Sequence, residues 1–378
     1  MPDNSSADLL KTLVSFDTTS YKSNLELITY VKHYLEQHGV AVTLKFNAEN
    51  SKANLFASIG PTDRQGILLS GHTDVVPVQG QAWSTDPFVA VEKNNRIFGR
   101  GTADMKGFIA CAMVAMARAA DRTLNRPLHL CLSYDEEIGC IGVRDILDQL
   151  SSYMVSPLVC IVGEPTLMQI ATGHKGKAVF KALCCGQEGH SALAPQFTNA
   201  IHVAVALAQA IAEVQYQVSR SGVSDSDYDI PYSTLHIGKI QGGKALNIVP
   251  NECIVDYEIR NIAQDDVGKI HEAVVQRLES GTYAQWVHIE QINQYPGLLT
   301  APSIDAVKLL TSLLPEATGV GKISFGTEGG LFTQTLQCPV LVCGPGSITV
   351  AHKPDEFIDV DQMHQCDAFL ARLIQTLL

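Results

Sequence analysis

The 378-residue sequence lacks the features that mark several large classes of protein. It has no run of lysine and arginine, and 27 basic residues against 39 acidic ones give a formal net charge of −12. Such an acidic chain does not suit a nucleic-acid or anionic-membrane partner. No apolar run approaches the roughly 20 residues of a membrane helix. Because the first six residues also lack the basic and apolar segments of a secretory signal, we expect a cytoplasmic protein.

Closely spaced cysteine pairs are missing as well. None of the ten cysteines forms a C-x-x-C pair, which excludes zinc-finger and thioredoxin-like spacing. Most of them lie in apolar stretches such as 158–162, so we interpret them as buried, reduced side chains. The chain is 46% hydrophobic and only 17% charged, which excludes a disordered protein and is enough for about two domains.

The order of the apolar segments indicates an α/β fold. Helical spacing of apolar residues at 25–37 and 108–120 alternates with short apolar runs at 66–70, 128–132 and 158–162. Continuous apolar strands separated by helices are typical of a mainly parallel sheet that is covered on both faces.

After residue 173 the pattern changes to that of an inserted α+β domain. The segment 177–185 alternates like a half-exposed strand, 252–259 is also strand-like, and helical segments separate these strands. The first pattern returns near the C-terminus with the apolar strand 339–343. We therefore predict an α/β domain at 1–175 and 292–378, interrupted by a smaller domain at 176–291.

Side chains that can bind metal follow the ends of the predicted strands. In open α/β sheets ligands bind at the carboxyl ends of the strands, so we expect these side chains to lie together. The candidates that follow strands are His72, Asp74, Glu136, Glu137, Glu164 and His352, and a further candidate, Asp104, lies just before the helical segment 108–120.

Two imidazoles and several carboxylates without a thiolate suit Zn²⁺ or Co²⁺, and their number suits two ions. Asp74, two residues after His72, is placed to accept a hydrogen bond from the far nitrogen of that imidazole. Glu136 and Glu137 point to opposite sides of an extended segment, so one can bind metal while the other acts as a general base. Taken singly, each candidate also has a structural interpretation: a solvated glutamate pair, a hydrogen-bonded histidine, or an ordinary turn at Glu164.

Seven short motifs, in order, resemble the successive signatures of the M20 family of metallo-amidohydrolases and peptidases. They are SGHTDVVP (70–77), GRGTADMKG (99–107), DEE (135–137), GEPT (163–166), GHS (189–191), NIVP (247–250) and the C-terminal His352. The resemblance runs from about residue 8 to the C-terminus. Further motifs are similar to those of the acetylornithine deacetylase group of the family: GHKG (173–176), GTEG (326–329) and AHKPDE (351–356).

The resemblance implies a zinc-peptidase-like catalytic domain and a ferredoxin-like inserted domain that serves as a lid and forms a homodimer. It implies hydrolysis of the small molecule N-acetyl-L-ornithine to L-ornithine and acetate, in arginine biosynthesis, by a water that two zinc ions activate. Alternatives within the family are another N-acyl amino acid deacylase, a succinyl-diaminopimelate desuccinylase or a dipeptidase. The alternative of a different class is a metal-binding module without catalysis.

The resemblance also implies a role for each metal-site residue. One zinc would be held by His72, Asp104 and Glu164, and the other by Glu137, His352 and the bridging Asp104; Co²⁺ is a possible substitute. Glu136 would take a proton from the activated water and return it to the leaving amine, and Asp74 would orient His72.

The remaining predicted residues would contact the substrate. His190 would stabilise the tetrahedral oxyanion, commonly from the partner subunit, while Asn247 and Arg260 would bind the substrate carboxylate. We further hypothesise that Glu328 recognises the δ-ammonium of acetylornithine. The structural alternatives are a loop role for His190, an ion pair for Arg260 and a glycine-loop brace for Glu328.

Overall fold

The computed structural model describes residues 5–378 and divides them into two compact units. Unit 1 runs to Gly173 and includes Thr300–Lys322 and Thr327–Leu378, whereas unit 2 comprises His174–Leu299 and Ile323–Gly326. The predicted insert, 176–291, lies inside unit 2. The grouping of the short segment 323–326 with that unit has no counterpart in the sequence analysis.

Nine α-helices are described, together with a π-helical turn at Thr102–Lys106 and 3₁₀ turns at Ser191–Gln196 and Ala284–Trp286. The helices are α1 (Ser6–Val14), α2 (Leu25–Gln37), α3 (Gly107–Ala120), α4 (Arg144–Tyr153), α5 (Ala200–Ser221), α6 (Val267–Glu279), α7 (Asp305–Leu313), α8 (Gly329–Leu336) and α9 (Val360–Gln375).

The strands of the described chain are short, as in most globular domains. They are β1 (Ala41–Phe46), β2 (Ala53–Ile59), β3 (Ile67–His72), β4 (Val91–Lys93), β5 (Arg96–Phe98), β6 (Leu128–Ser133), β7 (Val159–Pro165), β8 (Ile170–His174), β9 (Lys177–Cys185), β10 (Gly189–His190), β11 (Thr234–Gly242), β12 (Ile248–Val249), β13 (Glu252–Arg260), β14 (Val287–Tyr295), β15 (Leu298–Leu299), β16 (Val320–Ile323), β17 (Val340–Gly344) and β18 (Phe357–Asp359).

Seven strands of unit 1 lie side by side in the order β1-β2-β6-β3-β7-β17-β8. The four central strands, β6, β3, β7 and β17, are parallel to one another. The pairs β1–β2, β2–β6 and β17–β8 are antiparallel. The prediction of a mainly parallel α/β sheet is therefore confirmed at the centre of the sheet, where the apolar strand runs lie, and its two sides are antiparallel.

Helix α3 is buried on all sides, as its apolar composition predicts. All of its residues except Arg118 and Ala120 are buried. Its close approach to the sheet requires glycine at position 163 of β7, because a Cβ there would lie 2.0 Å from Cδ1 of Phe108. This approach brings the turn before α3 to the carboxyl ends of the central strands.

Unit 2 has the β-α-β-β-α-β order of a ferredoxin-like domain. Its sheet has the order β11-β13-β9-β14 with every pair antiparallel, and α5 and α6 contribute to the same core. The side chains of Asn199 and Asp266 cap the two helices by accepting backbone N–H groups. The inserted α+β fold is thus confirmed, and its helices α5 and α6 are the helical segments expected between the strands.

The state of the cysteines and the character of the helices are both visible in the structure. All ten cysteines are free, and nine of them are buried, Cys185 being half-buried. Within residues 5–378, none of the helices combines the length and the apolar character that crossing a membrane would demand.

His129 on β6 is a buried histidine whose protonation opposes folding. Its side chain is fully buried, Nδ1 lies 2.9 Å from the Ser58 hydroxyl, and the ring stacks on Phe56. Burial lowers the pKa of His129 from 6.5 to about 4. The unfolded chain therefore binds this proton at a higher pH than the folded chain does. Stability should fall as the pH decreases from 6.5 toward 4, by up to about 3 kcal/mol.

We predict that His129→Gln removes this part of the acid sensitivity, because glutamine is neutral throughout the same range. Urea denaturation of the variant and the wild type across the range from pH 6.5 to 4 measures the difference. His33→Gln, at an exposed position on α2, is the control and should keep the wild-type pH dependence. If His129→Gln loses as much stability as the wild type, His129 does not contribute to acid destabilisation.

Candidate metal centre

Three central strands carry the first group of candidate ligands to one edge of the sheet. His72 is the last residue of β3, and Glu164 is the penultimate residue of β7. Glu136 and Glu137 follow β6 in a loop, in which the amides of residues 139 and 140 both donate to the Glu136 carbonyl. The loop turns after Asp135, whose φ is +54°, so the two glutamates do not lie on the extended segment that we expected.

Asp104 joins the two histidines of the site. Its Oδ1 lies 3.1 Å from Nε2 of His72, and its Oδ2 lies 3.3 Å from Nε2 of His352. Nε2 of His352 also lies 3.2 Å from Oε2 of Glu137. Nε2 of His72 also lies 3.7 Å from Oε1 of Glu164. Each imidazole therefore faces one oxygen of Asp104 and one glutamate, so a cation on either side would find three donors.

Two sets of three candidate ligand atoms lie within 4.8 Å of one another. One consists of His72, Asp104 and Glu137, and the other of His72, Glu136 and Glu164. The second set contains Glu136, which the family resemblance implies to be the general base. Glu136 is therefore close enough to His72 and Glu164 to act as a ligand itself, and its role requires a separate test.

Asp74 supports both His72 and the glutamate loop, in two different ways. Its backbone carbonyl accepts a hydrogen bond from Nδ1 of His72 at 2.9 Å, which leaves Nε2 of the neutral imidazole free to bind a cation. Its carboxylate accepts the backbone N–H groups of Glu136 and Glu137 at 3.0 and 3.2 Å and the Ser20 hydroxyl at 2.8 Å. We expected the carboxylate to orient His72, but it lies 3.6 Å from Nδ1 and mainly holds the glutamate loop.

The three glutamates of the site are held close together, and each has a raised pKa. Burial is the largest cause, and it raises the pKa of Glu136 to about 8 and that of Glu137 to about 7. The pKa of Glu164 lies well above its usual range for the same reason. Repulsion between neighbouring carboxylates adds to each shift, notably that from Asp104 on Glu137 and Glu164.

The pKa values of both histidines are raised, so the two imidazoles retain their protons more readily. Burial lowers the pKa of His72, but the hydrogen bond with Asp104 and the charge of Glu164 outweigh it and raise that pKa well above its usual value. Hydrogen bonds with Asp104 and Glu137 raise the pKa of His352 to about 10. Burial opposes ionisation of Asp104, yet hydrogen bonds from His352 and His72 hold its pKa below the usual range. Divalent cations would supply the positive charge that these protons supply without metal, so the donor set fits a metal centre.

Three supporting side chains were not assigned a role from the sequence. Ser20 donates to Asp74, and the Cys140 thiol donates to Oε1 of Glu136 at 3.3 Å. Glu356 accepts the backbone N–H of Asp104 at 3.1 Å. Only Glu356 had a signal in the sequence, because it lies in the motif that contains His352.

Glu328 lies at the start of α8 and is buried, with 1% of its surface exposed. Its Oε1 has no hydrogen-bond partner within the described part of the chain. Burial raises the pKa of Glu328 to about 7, while the nearby hydroxyls of Ser133 and Ser70 oppose the shift. In this conformation the carboxyl lies beneath the surface of unit 1.

The other three predicted site residues lie in unit 2. His190 ends β10, is exposed, and accepts the Ala192 backbone N–H at Nδ1. Asn247 is also exposed, and its carbonyl accepts the N–H of the residue that follows His190. Arg260 ends β13 and donates to Glu258 at 2.9 Å and to the Tyr295 hydroxyl at 3.3 Å, so the ion pair that we considered for Arg260 is present.

Comparison with known proteins identifies the family. The family model for Peptidase family M20/M25/M40 matches residues 68–376. The chain belongs to this family. The M20 chain is 34% identical over 375 residues to an acetylornithine deacetylase of Myxococcus xanthus, covering 97% of this chain and 95% of that protein. It is 30% identical over 368 residues to the acetylornithine deacetylase of Pasteurella multocida (strain Pm70), covering 96% of this chain and 94% of that protein.

A solved structure agrees with the fold of the M20 chain. An M20 family metallo-carboxypeptidase, Sso-CP2 from Sulfolobus solfataricus, has a TM-score of 0.85 at 19% identity, covering 98% of this chain and 99% of that one. The fold, family and enzyme class predicted from the motifs are therefore confirmed. The M20 chain is a metal-dependent hydrolase of amide bonds.

Proposed function

We propose that this M20 enzyme hydrolyses N-acetyl-L-ornithine to L-ornithine and acetate, as a step of arginine biosynthesis. The observation that carries the metal-dependent part is Asp104, whose two oxygens face two different imidazoles at 3.1 and 3.3 Å. The nearly full-length similarity to proteins named acetylornithine deacetylase supports the choice of substrate. A cytoplasmic location and a homodimer remain predictions.

Two divalent cations are assigned to the centre, and the nitrogen and oxygen donors suit Zn²⁺, with Co²⁺ as a substitute. His72, Asp104 and Glu164 would hold one cation, and Glu137, His352 and Asp104 would hold the other. The contacts between these side chains support this division, since His72 faces Glu164 and His352 faces Glu137. When bound, such ions lower the pKa of a water molecule and polarise a carbonyl oxygen.

Glu136 is the proposed general base. Its carboxylate accepts a proton from the water that adds to the acetyl carbonyl carbon, and it returns this proton to the nitrogen as the C–N bond breaks. Asp74 holds Glu136 for this role through the backbone N–H of Glu136, and the Cys140 thiol donates to Oε1. Oε2 is then the oxygen that exchanges the proton.

The unit 2 residues are proposed to contact the substrate. Because Nδ1 of His190 accepts a backbone N–H, the neutral imidazole carries its proton on Nε2 and can donate it to a developing oxyanion. Asn247 and Arg260 supply an amide and a guanidinium for the substrate carboxylate. The family resemblance suggests that His190 acts from the partner subunit of a dimer.

We predict that Glu136→Gln lowers kcat by at least about 10²–10⁴-fold, because the amide cannot accept the proton, and that two ions per chain remain bound. Metal analysis after dialysis, together with steady-state kinetics on acetylornithine, checks both parts. Glu137→Gln is the matched control, and it should lower the metal content toward one ion. Loss of an ion from Glu136→Gln would make Glu136 a ligand, and retained turnover would refute its role as the base.

We predict that the zinc- or cobalt-loaded enzyme has its highest kcat/KM on N-acetyl-L-ornithine. The panel for the measurement contains N-succinyl-diaminopimelate, N-acetylmethionine and a dipeptide as competitors. A higher kcat/KM on any of these would replace the proposed substrate while leaving the hydrolase class intact. No turnover of any amide by fully metal-loaded protein would favour the binding-module alternative.

The same panel tests the proposed contact between Glu328 and the δ-ammonium of the substrate. Glu328→Gln removes the negative charge at constant shape, so it should raise KM for acetylornithine much more than KM for N-acetylmethionine, which has no ammonium. Equal changes for both substrates would instead give Glu328 the role of bracing its glycine loop from its buried position.

A further inference from the structure

Arg100 and Glu356 form a buried ion pair beside the metal centre. Each residue is 1% exposed, and Nη1 of Arg100 lies 2.7 Å from Oε2 of Glu356. Two charges at such a depth carry a large desolvation cost, so a pair of this kind needs good geometry and further hydrogen bonds to be tolerated. The partners of the two side chains show what the pair holds.

Glu356 binds the backbone of the turn that presents Asp104. Its Oε1 accepts the N–H groups of Ala103 and Asp104 at 2.9 and 3.1 Å. Its Oε2 accepts the N–H of Gly101 at 3.1 Å, in addition to Arg100. Gly101 has a φ of +83°, a conformation that glycine adopts without strain. One carboxylate thus accepts four donors and fixes the turn 101–104, where the backbone of Asp104 is non-helical.

Arg100 reaches the segment that presents the second histidine. Its Nη1 also approaches the Lys353 carbonyl at 3.4 Å, and its Nη2 donates to Oε1 of Gln81 at 2.6 Å. Nε2 of Gln81 in turn donates to the carbonyl of His352 at 2.9 Å. The backbone of His352 is therefore tied to the same group of side chains as the backbone of Asp104.

We propose that the Arg100–Glu356 pair, with Gln81, is a positioning device that sets the distance between Asp104 and His352 and so determines the affinity of the second cation. The proposal rests on the two-ion centre of the proposed function. The affinity of the second cation depends on this device more than that of the first. The first cation would bind His72 and Glu164, whose positions the neighbouring strands of the sheet already fix through β3 and β7. His352 has a φ of +62° in a segment without regular secondary structure, so its position depends on side-chain contacts such as these.

The test is Glu356→Gln in the full metal-free chain, titrated with Zn²⁺ by isothermal calorimetry. In glutamine Oε1 still accepts N–H groups but Nε2 does not, so the two donors at one of the carboxylate oxygens lose their partner. Loss of a residue that supports metal ligands typically weakens metal binding by about 10–100-fold. We expect a loss of this size at the second ion, an affinity for the first ion close to that of the wild type, and rescue of the second ion by reversion to glutamate.

Asp359→Asn is the matched control. Asp359 pairs with Arg96 at 2.9 Å on the strands β18 and β5, each side chain is nearly half exposed, and the hydrogen bond that Asp359 accepts comes from Arg96 rather than from the turn 101–104. Its two Zn²⁺ affinities should equal those of the wild type. If circular dichroism shows that Glu356→Gln does not fold, Gln81→Ala is used in its place. Gln81 is half-buried, and its substitution should weaken binding of the second ion by a smaller factor.

Three outcomes would overturn the proposal in different ways. Equal second-ion affinities in the folded variant and the wild type would overturn the positioning role alone. Equal weakening of both ions would give the pair a general structural role instead. A wild-type chain that binds fewer than two ions would overturn the two-ion centre itself, and the positioning role with it.

Discussion

The candidate metal centre of unit 1 depends on the contact of one carboxylate, that of Asp104, with the imidazoles of His72 and His352. Around it lie three glutamates whose burial and mutual repulsion oppose ionisation. Gathering such groups away from water is costly unless positive charge compensates them. The supporting hydrogen bonds of Asp74 and Glu356 are therefore best understood as holding ligands in an arrangement that is stable only with a cation or with protonated histidines.

The fold meets this requirement by separating rigid and irregular backbone. His72 and Glu164 belong to parallel strands at the centre of the sheet, where neighbouring strands fix their positions. Asp104 and His352 lie on irregular segments that reach the same edge, and buried side chains hold those segments instead. The glycine at 163 allows α3 to approach the sheet closely, which brings the Asp104 turn into reach of the strand ends.

The sequence predicted what depends on local pattern. The bounds of α2 and β9 agree with the structure because apolar periodicity is a short-range signal, and the strand ends located His72, Glu136 and Glu164. The edge strand β14 was not predicted because its residues are mostly polar. The turn of the backbone at Asp135 was not predicted either, because the adjacent carboxylates suggested an extended segment. Contacts such as Ser20 with Asp74, and Glu356 with Asp104, join residues 54 and 252 positions apart. No periodicity records such pairs, so only the folded chain reveals them.

Anomalous X-ray diffraction at the zinc edge, from crystals of the zinc-loaded enzyme, tests directly whether Asp104 bridges two cations. If it does, we expect two peaks roughly 3.5–4 Å apart, one at each oxygen of Asp104. The first peak should lie within bonding distance of His72 and Glu164, and the second within that of Glu137 and His352. A single peak at full zinc loading, or two peaks that do not share Asp104, would show that Asp104 does not bridge two cations.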